Sequence, residues 1–210
     1  VAVIDTGIDY THPDLVDRYG GGYDFANDDS DPMDDNGHGT HVSGTIAATD
    51  NEIGVIGVAP EATIYALKAL GAEGSGSTSD VIRSILWAVD NGMDIVSMSL
   101  GSAIPSLLEM RACNVAYEAG VLLIAATGNE GTWYAGFPAG YPSVMGVGAI
   151  AEDNTLADFS NKGLGLDLVA PGVDVNSTVP VGTGPVAKVI VDTMELSANI
   201  MEYSPETPET

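Results

Sequence analysis

The sequence predicts an α/β domain of three layers, with helices on both faces of a mainly parallel sheet. Short apolar runs rich in β-branched residues, at 1–4, 64–70, 95–98, 121–126 and 144–149, alternate with segments of helical length. This alternation is typical of βαβ units, whose crossover helices cover both faces of a parallel sheet. The chain has 210 residues, 45% of them apolar and 17% charged, which is enough apolar surface for a core and excludes a disordered chain.

Three helices are predicted between these strands. Segment 80–91 places five apolar side chains at helical spacing, with Ser79 as the N-cap and Gly92 just past the end. Segment 107–119 ends at Gly120 in the same way. A third helix, over 38–48, follows the turn pair Asn36-Gly37.

Charge and termini limit the function classes. The 30 acidic and 6 basic residues give a net charge of −24, which makes nucleic acid a poor partner and suits secretion or high salt, as in a halophilic source. No run of about 18 apolar residues and no leader are visible, so neither a membrane span nor a signal peptide is predicted. Because the chain opens on an apolar run without Met, we expect a fragment truncated at both ends. Its single cysteine, Cys113, excludes an intrachain disulfide framework.

Two polar motifs point to acid–base chemistry. Asp5 follows the first apolar run, at the edge where open α/β sheets place functional groups. His38 and His41 lie three residues apart at the start of the third predicted helix and share a face. Zinc is the weaker interpretation, because the i, i+4 histidine pair with its glutamate is missing. A histidine base oriented by a carboxylate is the stronger one, and Asp5 could supply that carboxylate.

A third motif follows the apolar run at 121–126. There Asn129 stands in the stretch Gly128-Asn129-Glu130, where its amide could donate a hydrogen bond to a developing oxyanion. Taken alone, a glycine–asparagine pair is common in turns. The three motifs follow three different strands, however, and their order of carboxylate, imidazole and amide favours a shared catalytic edge.

Taken together, the motifs resemble those of the subtilisin-like serine proteases (the subtilase or peptidase S8 type). The resemblance covers residues 1 to about 178 and implies Asp5 as the triad carboxylate, His38 as the general base and Asn129 as the oxyanion-hole donor. It also implies polypeptide substrates, a propeptide upstream and a secreted or cell-wall location. The stretches that carry it are Val3-Ile-Asp-Thr-Gly-Ile-Asp9, His12-Pro-Asp-Leu15, Asn36-Gly-His-Gly-Thr-His-Val-Ser-Gly44, Gly57-Val-Ala-Pro60, Ser97-Met-Ser-Leu-Gly101, Gly128-Asn129 and Val169-Ala-Pro-Gly172.

The nucleophile of that family is absent from this sequence. The family carries it in a Gly-Thr-Ser-Met-Ala stretch after the Ala-Pro-Gly segment, and no Gly-Thr-Ser occurs here. We therefore predict that residues 1–179 are a partial catalytic domain. Residues 180–210 are predicted to be the start of an inserted module, which resembles a protease-associated domain, or a disordered tail. A strand is predicted over 186–191. The 210-residue chain is expected to be inactive alone.

The resemblance also implies residues that bind substrate. One edge segment would pair with an extended peptide by strand addition, and a second would form a wall of the pocket for the residue before the cut. The residues are Gly74, Ser75 and Gly76 in the first segment and Ser99, Leu100 and Gly101 in the second.

Calcium is the cofactor that the resemblance implies. The loop 49–55 resembles the strong calcium site of the family, with ligands from Asp14, Thr49, Asn51, Ile53 and Val55. The acidic stretch 27–35 is a second candidate, through Asp28, Asp31 and Asp34, although a solvated acidic loop explains it equally well.

Two alternatives stay open. The triplet Asp5-Thr6-Gly7 after apolar residues is also the signature of aspartic proteases, but the helical patterns and the lack of a second such triplet argue against that class. A non-catalytic subtilase-fold module, binding peptides or calcium, is supported only by the missing nucleophile.

Overall fold

A computed structural model describes residues 1–183 and the backbone of 188–189 and 194–195. Within this described part, seven strands form one sheet in the order β2-β3-β1-β4-β6-β7-β8, and all neighbours are parallel. The strands are β1 Ala2–Asp5, β2 Tyr19–Asp24, β3 Ile64–Lys68, β4 Ile95–Met98, β5 Leu100–Gly101, β6 Leu122–Ala126, β7 Met145–Ile150, β8 Leu168–Pro171, β9 Val175–Asn176, β10 Lys188–Val189 and β11 Met194–Glu195; the helices are α1 His38–Ala47, α2 Thr78–Asp90 and α3 Leu107–Glu118.

The core lies on both faces of this sheet, so the predicted three-layer α/β/α class is confirmed. Because successive strand residues point to opposite faces, Ile4 of β1 joins one buried cluster and Val3 joins the other. The first cluster contains α2 and α3, through residues such as Ile85 and Ala116. The second contains α1, through Val42. No helix in the described part is long and apolar enough to cross a membrane.

The three helices form where the sequence predicts them, but the N-cap predicted for α2 is wrong. Ser77, not Ser79, precedes the helix in an extended conformation, and its hydroxyl accepts a hydrogen bond from the Asp80 amide. The hydroxyls of Ser77 and Ser79 lie 2.7 Å apart. Because the cap must accept from an amide two or three residues ahead, the earlier serine starts the helix two residues sooner. Gly92 follows α2 with φ 66°, as predicted for a residue past a helix end.

The sequence analysis missed the two edge strands of the sheet. β2 contains three consecutive glycines, Gly20 to Gly22, which weaken any strand pattern, and a register shift separates Tyr19 from Gly21 in its pairing with β3. A Cβ at Gly22 would lie 2.0 Å from the Ala66 carbonyl oxygen, so this close pairing requires glycine there. β8 ends on Pro171, which is tolerated because an edge strand needs fewer donors.

The proposed module at 180–210 and the predicted strand over 186–191 lie largely outside the described residues. Of this stretch, β10 pairs antiparallel with β9, and β11 pairs parallel with β5. Before it, the segment that follows β9 packs on α1: the hydroxyls of Ser177 and Thr178 donate to the carbonyl oxygens of His41 and Thr40.

Candidate active site

Asp5 and His38 meet at the carboxyl end of β1. Asp5 is the last residue of that strand and is fully buried, and His38 is the first residue of α1 and is 4% exposed. His38 Nδ1 lies 2.7 Å from Asp5 Oδ1. Since a carboxylate only accepts, Nδ1 carries the proton and Nε2 is the basic nitrogen of the neutral ring. The geometry is that of a histidine base held in one tautomer by a carboxylate.

Asp34 ties the end of β1 to the first turn of α1. Its Oδ1 accepts from the Thr6 hydroxyl at 2.9 Å and from the backbone amides of residues 36 and 37. Its Oδ2 accepts from the amide and hydroxyl of Thr40, and the Thr6 hydroxyl in turn accepts from the Gly39 amide. These bonds fix the residues on either side of the Asp5–His38 contact.

Lys68 is a further buried group at this edge that sequence reasoning missed. It is 1% exposed and stands directly opposite Asp5 in the pairing of β1 with β3. Its ammonium donates to the Thr6 carbonyl at 2.6 Å and to Asp35 Oδ1 at 2.5 Å. Lysine is almost never fully buried unless it is paired, so a lysine ending an apolar strand was the available signal.

His41, the second histidine, has a different environment. It is 1% exposed, and its Nε2 donates to the Val175 carbonyl at 3.1 Å. Burial lowers the pKa of His41 to about 4, so its ring is neutral at physiological pH. Among the residues that the structure describes, no three or more His, Cys, Asp or Glu side chains are grouped to hold a metal ion, and the zinc interpretation gains no support.

Asn129 stands in the loop after β6, two strands away from β1 in the sheet. It lines a cavity along the carboxyl ends of β4, β6 and β7, together with Ser97, Ser99, Val147 and Gly172. Gly128 before it has φ 110°, a conformation that L side chains rarely adopt. The loop thus turns sharply at the point where the amide side chain leaves the sheet.

The predicted substrate-binding residues lie in two segments. Gly74 closes a turn that begins at Gly71, since its amide donates to the Gly71 carbonyl. Gly76, beyond the turn, makes an antiparallel bridge with Leu70. In the second segment Leu100 and Gly101 form β5, with Leu100 fully buried. Gly101 lines a second cavity together with Ser102, Gly128, Glu130 and Tyr134. This cavity borders the loop that carries Asn129.

The loop 49–55 wraps around Asp14, which is fully buried. Asp14 Oδ1 accepts from the Asn51 amide nitrogen at 2.9 Å, and its Oδ2 accepts from the Val55 backbone at 3.2 Å. The Thr49 amide donates to the Asp14 carbonyl. A Cβ at Gly54 would lie 1.8 Å from Asp14 Oδ2, so the loop closes on the carboxylate only with glycine there.

The three acids of the second candidate calcium site have separate partners. Asp28 pairs with Arg83 at 2.9 Å, and Asp31 accepts from the Tyr10 hydroxyl at 2.8 Å. Asp34 is occupied by the hydrogen bonds to α1 described above. Each of these carboxylates thus has its own protein partner, and the second calcium site stays a prediction.

Comparison with known proteins decides the family. A model described as the subtilase family, peptidase S8, matches residues 1–197. The chain belongs to this family. Subtilases are serine endopeptidases that act on polypeptides, and the resemblance drawn from the sequence motifs is therefore confirmed.

Several curated subtilases are about half identical to this chain. Subtilisin Savinase of Lederbergia lenta is 52% identical over 183 residues, which cover 87% of this chain and 67% of that protein. The alkaline protease of Shouchella clausii is 52% identical, with 87% and 47% covered. Subtilisin E of Bacillus subtilis strain 168 is 48% identical over 188 residues, with 87% and 49% covered. The chain thus spans half to two thirds of the length of these relatives.

Two observations argue against the aspartic-protease alternative for this subtilase. Aspartic proteases need two carboxylates that share a proton, whereas Asp5 contacts the imidazole of His38. The parallel sheet with helices on both faces also differs from an all-β fold.

Proposed function

We propose that the whole protein is a serine endopeptidase in which Asp5, His38 and Asn129 act together. The buried 2.7 Å contact between Asp5 and His38 carries this proposal, because it sets the tautomer that a general base requires. Asn129 would donate its side-chain amide to the oxyanion that forms on the substrate carbonyl.

In the proposed reaction His38 transfers one proton while the acyl-enzyme forms and one while it is hydrolysed. Nε2 takes the proton of a serine hydroxyl as its oxygen attacks the scissile carbonyl, and Asp5 stabilises the resulting imidazolium. His38 then gives this proton to the leaving amine, and an acyl-enzyme remains. In the second half Nε2 takes a proton from a water whose oxygen attacks the ester, and it returns this proton to the serine oxygen as the acid product leaves.

The serine itself is proposed to come from a part of the protein beyond these 210 residues. The sequence contains no Gly-Thr-Ser, and the relatives are longer than the stretch that matches them. We expect residues 1–210 alone to be inactive. A non-catalytic, peptide-binding subtilase module is the second candidate, and the missing motif is what favours it.

The test uses the intact gene product. We expect casein hydrolysis that is blocked by a serine-directed fluorophosphonate and resists pepstatin. His38→Ala should abolish hydrolysis, while Asn114→Ala, a substitution at an exposed position of α3, serves as the control. An intact wild-type protein that folds, yet neither hydrolyses casein nor reacts with the fluorophosphonate, would establish the non-catalytic candidate.

Substrate is proposed to bind between the two segments identified from the sequence. An extended peptide would pair with the backbone of 74–76 on one side and of 99–101 on the other. The second cavity, next to Gly101 and Glu130, supports a pocket for the side chain before the cut. Main-chain pairing of this kind accepts many sequences. Peptide libraries cleaved by the intact enzyme would then show a preference at that one position.

Calcium is proposed to bind at the loop around Asp14. The buried carboxylate and the cradle at Gly54 support the site, since oxygen ligands in a flexible loop suit a hard cation. The ligands would be the Asp14 carboxylate, the Asn51 side-chain oxygen and the carbonyls of Thr49, Ile53 and Val55. Calcium would supply charge compensation and hold the loop. Chelation should lower the melting temperature of the intact protein, and Asp14→Asn should remove that response.

We also propose that the protein is made with a propeptide and acts outside the cell or at the cell wall. The net charge of −24 supports this location, because an acidic surface resists aggregation in open solution. The start of the gene and fractionation of culture medium would test both points.

A further inference from the structure

A single side chain from a distant loop holds the loop that carries Asn129. Asn161 lies between β7 and β8, is 2% exposed, and packs against the segment 127–132. None of the sequence motifs includes it. Its hydrogen bonds go to residues 127, 128, 130 and 132, which flank Asn129 on both sides.

The Asn161 side chain accepts hydrogen bonds through its oxygen and donates them through its nitrogen in this contact. Its Oδ1 accepts from the backbone amides of Glu130 at 3.1 Å and Thr132 at 2.9 Å. Its Nδ2 donates to the Thr127 carbonyl at 2.9 Å and to Glu130 Oε2 at 2.6 Å. Two donors face the oxygen and two acceptors face the nitrogen, which fixes the orientation of the amide.

Backbone contacts complete the clamp. The Asn161 amide donates to the Gly128 carbonyl at 2.9 Å, and the Thr127 hydroxyl donates to the Asn161 carbonyl at 3.2 Å. A Cβ at Gly128 would lie 2.3 Å from Asn161 Nδ2. The positive φ of Gly128, directly before Asn129, therefore belongs to the same contact.

We infer that Asn161 is a positioning residue for the oxyanion hole, which acts through the loop and not on the substrate. An oxyanion donor must be held to within a fraction of an ångström of the place where charge develops, and a displacement of about 1 Å can cost about 100-fold in rate. Aspartate lacks the two N–H donors at this point, and alanine lacks all four side-chain hydrogen bonds. The inference rests on the function proposed above.

The first test is Asn161→Ala in the intact enzyme. We expect kcat to fall by about 10- to 100-fold, because the contact fixes the oxyanion donor. KM should change less than kcat, although Asn161 and Glu130 also line the second cavity. Asn114→Ala, at an exposed asparagine of α3, is the matched control and should leave kcat unchanged. Thermal unfolding of each variant shows whether it is folded at the assay temperature.

Combining this change with Asn129→Ala separates positioning from a general loss of structure. If Asn161 acts through Asn129, adding Asn161→Ala to Asn129→Ala should lower kcat by less than about threefold. Independent effects would multiply. The same 10- to 100-fold loss in both backgrounds would overturn the inference.

A second variant covers the case in which the alanine variant fails to fold. Asn161→Asp keeps the shape and the acceptor, but it places a carboxylate oxygen against the Thr127 carbonyl and Glu130. Adding Glu130→Gln supplies an N–H toward this carboxylate and should recover part of kcat relative to Asn161→Asp alone.

The outcomes distinguish this inference from the function on which it rests. An active wild-type enzyme whose Asn161 variants keep kcat within about twofold would overturn the inference alone. An inactive, folded wild-type protein would overturn the proposed function, and the inference with it.

Discussion

Asp5 and Glu109 are both fully buried acids, yet the protein surrounds them differently. Asp5 accepts from the Thr6 amide and from His38 Nδ1, each at 2.7 Å. Glu109, on α3, accepts only from the Tyr141 hydroxyl through Oε2. The second oxygen of each acid, Asp5 Oδ2 and Glu109 Oε1, is buried without a hydrogen-bond partner, so the acids differ in what faces their first oxygen. Burial raises the pKa of Glu109. The raised pKa of Glu109 therefore reports only its burial. The contact of Asp5 with a histidine is what indicates the candidate catalytic edge.

The same contrast separates the two histidines of α1. His38, at the helix start, faces Asp5 across a charge-assisted contact. One turn later, His41 faces the backbone carbonyl of Val175, and its pKa is lowered to about 4 by burial. Both rings are nearly inaccessible, so burial alone does not assign their roles. The partner atom does.

The largest effect is expected when Asp5 loses its charge and can no longer hold His38 in one tautomer. In the intact enzyme Asp5→Asn should lower kcat by about 10⁴-fold, the loss that this substitution causes in other serine-protease triads, because the ring then takes the wrong tautomer. The protein should stay folded. Steady-state kinetics with a peptide substrate would measure the loss, and Asp17→Asn, at an exposed position, is the control. A loss under about tenfold would remove Asp5 from the mechanism.

A smaller effect is expected at the amide on the other side of the site. Asn129→Ala should lower kcat by about 10²- to 10³-fold, the value known for the oxyanion asparagine of subtilisin, the family to which this chain belongs. KM should change little, since the donor acts mainly on the transition state. Unchanged kcat would contradict the oxyanion role of Asn129. Equal changes in kcat and KM, with kcat/KM preserved, would contradict it as well.

Sequence reasoning located the Asp5–His38 pair because both residues flank strongly patterned elements. Asp5 ends a strand buried on both faces, and His38 starts a helix after a turn signal, so the order of strands brings them together. The contacts around the pair could not be predicted in this way. Lys68 meets Asp35 across 33 positions and Thr6 across 62, and no local pattern encodes pairings at such separations.

The fold shows a similar division. Strand β4 was predicted to the residue and the other central strands to within one or two residues, because a run of apolar residues is needed where both faces are covered. The edge strands were missed because their constraints differ. β2 needs glycine for close approach at Gly22, and β8 admits Pro171 because its outer side is unpaired.

His41 provides a stability test of the histidine comparison. Its folded pKa, about 4, lies below the ordinary value of 6.5, so the unfolded state binds the proton first and stability falls as the pH drops from 6.5 toward 4. Between pH 7.5 and pH 5 this costs about 2 kcal/mol. His41→Gln keeps an N–H for Val175 and should reduce the loss by that amount. Urea denaturation at both pH values measures it. Equal pH dependence in the two proteins would mean that folding does not lower the pKa of His41.

Glu109 should give the smallest effect, with the opposite sign. Its folded pKa is raised above the ordinary 4.5, so its contribution to stability is greatest below pH 4.5 and is lost as the pH rises through the folded pKa. Glu109→Leu removes the unpartnered Oε1, while the Tyr141 hydroxyl keeps its contacts with Ser106. This variant should be more stable than wild type by about 1 kcal/mol at pH 8, and the difference should shrink toward pH 4. Denaturant unfolding at the two pH values measures it, with Glu118→Leu on the exposed end of α3 as the control. A less stable variant at pH 8 would show that Glu109 is held by favourable contacts, as Asp5 is, and that the two buried acids are more alike than their surroundings indicate.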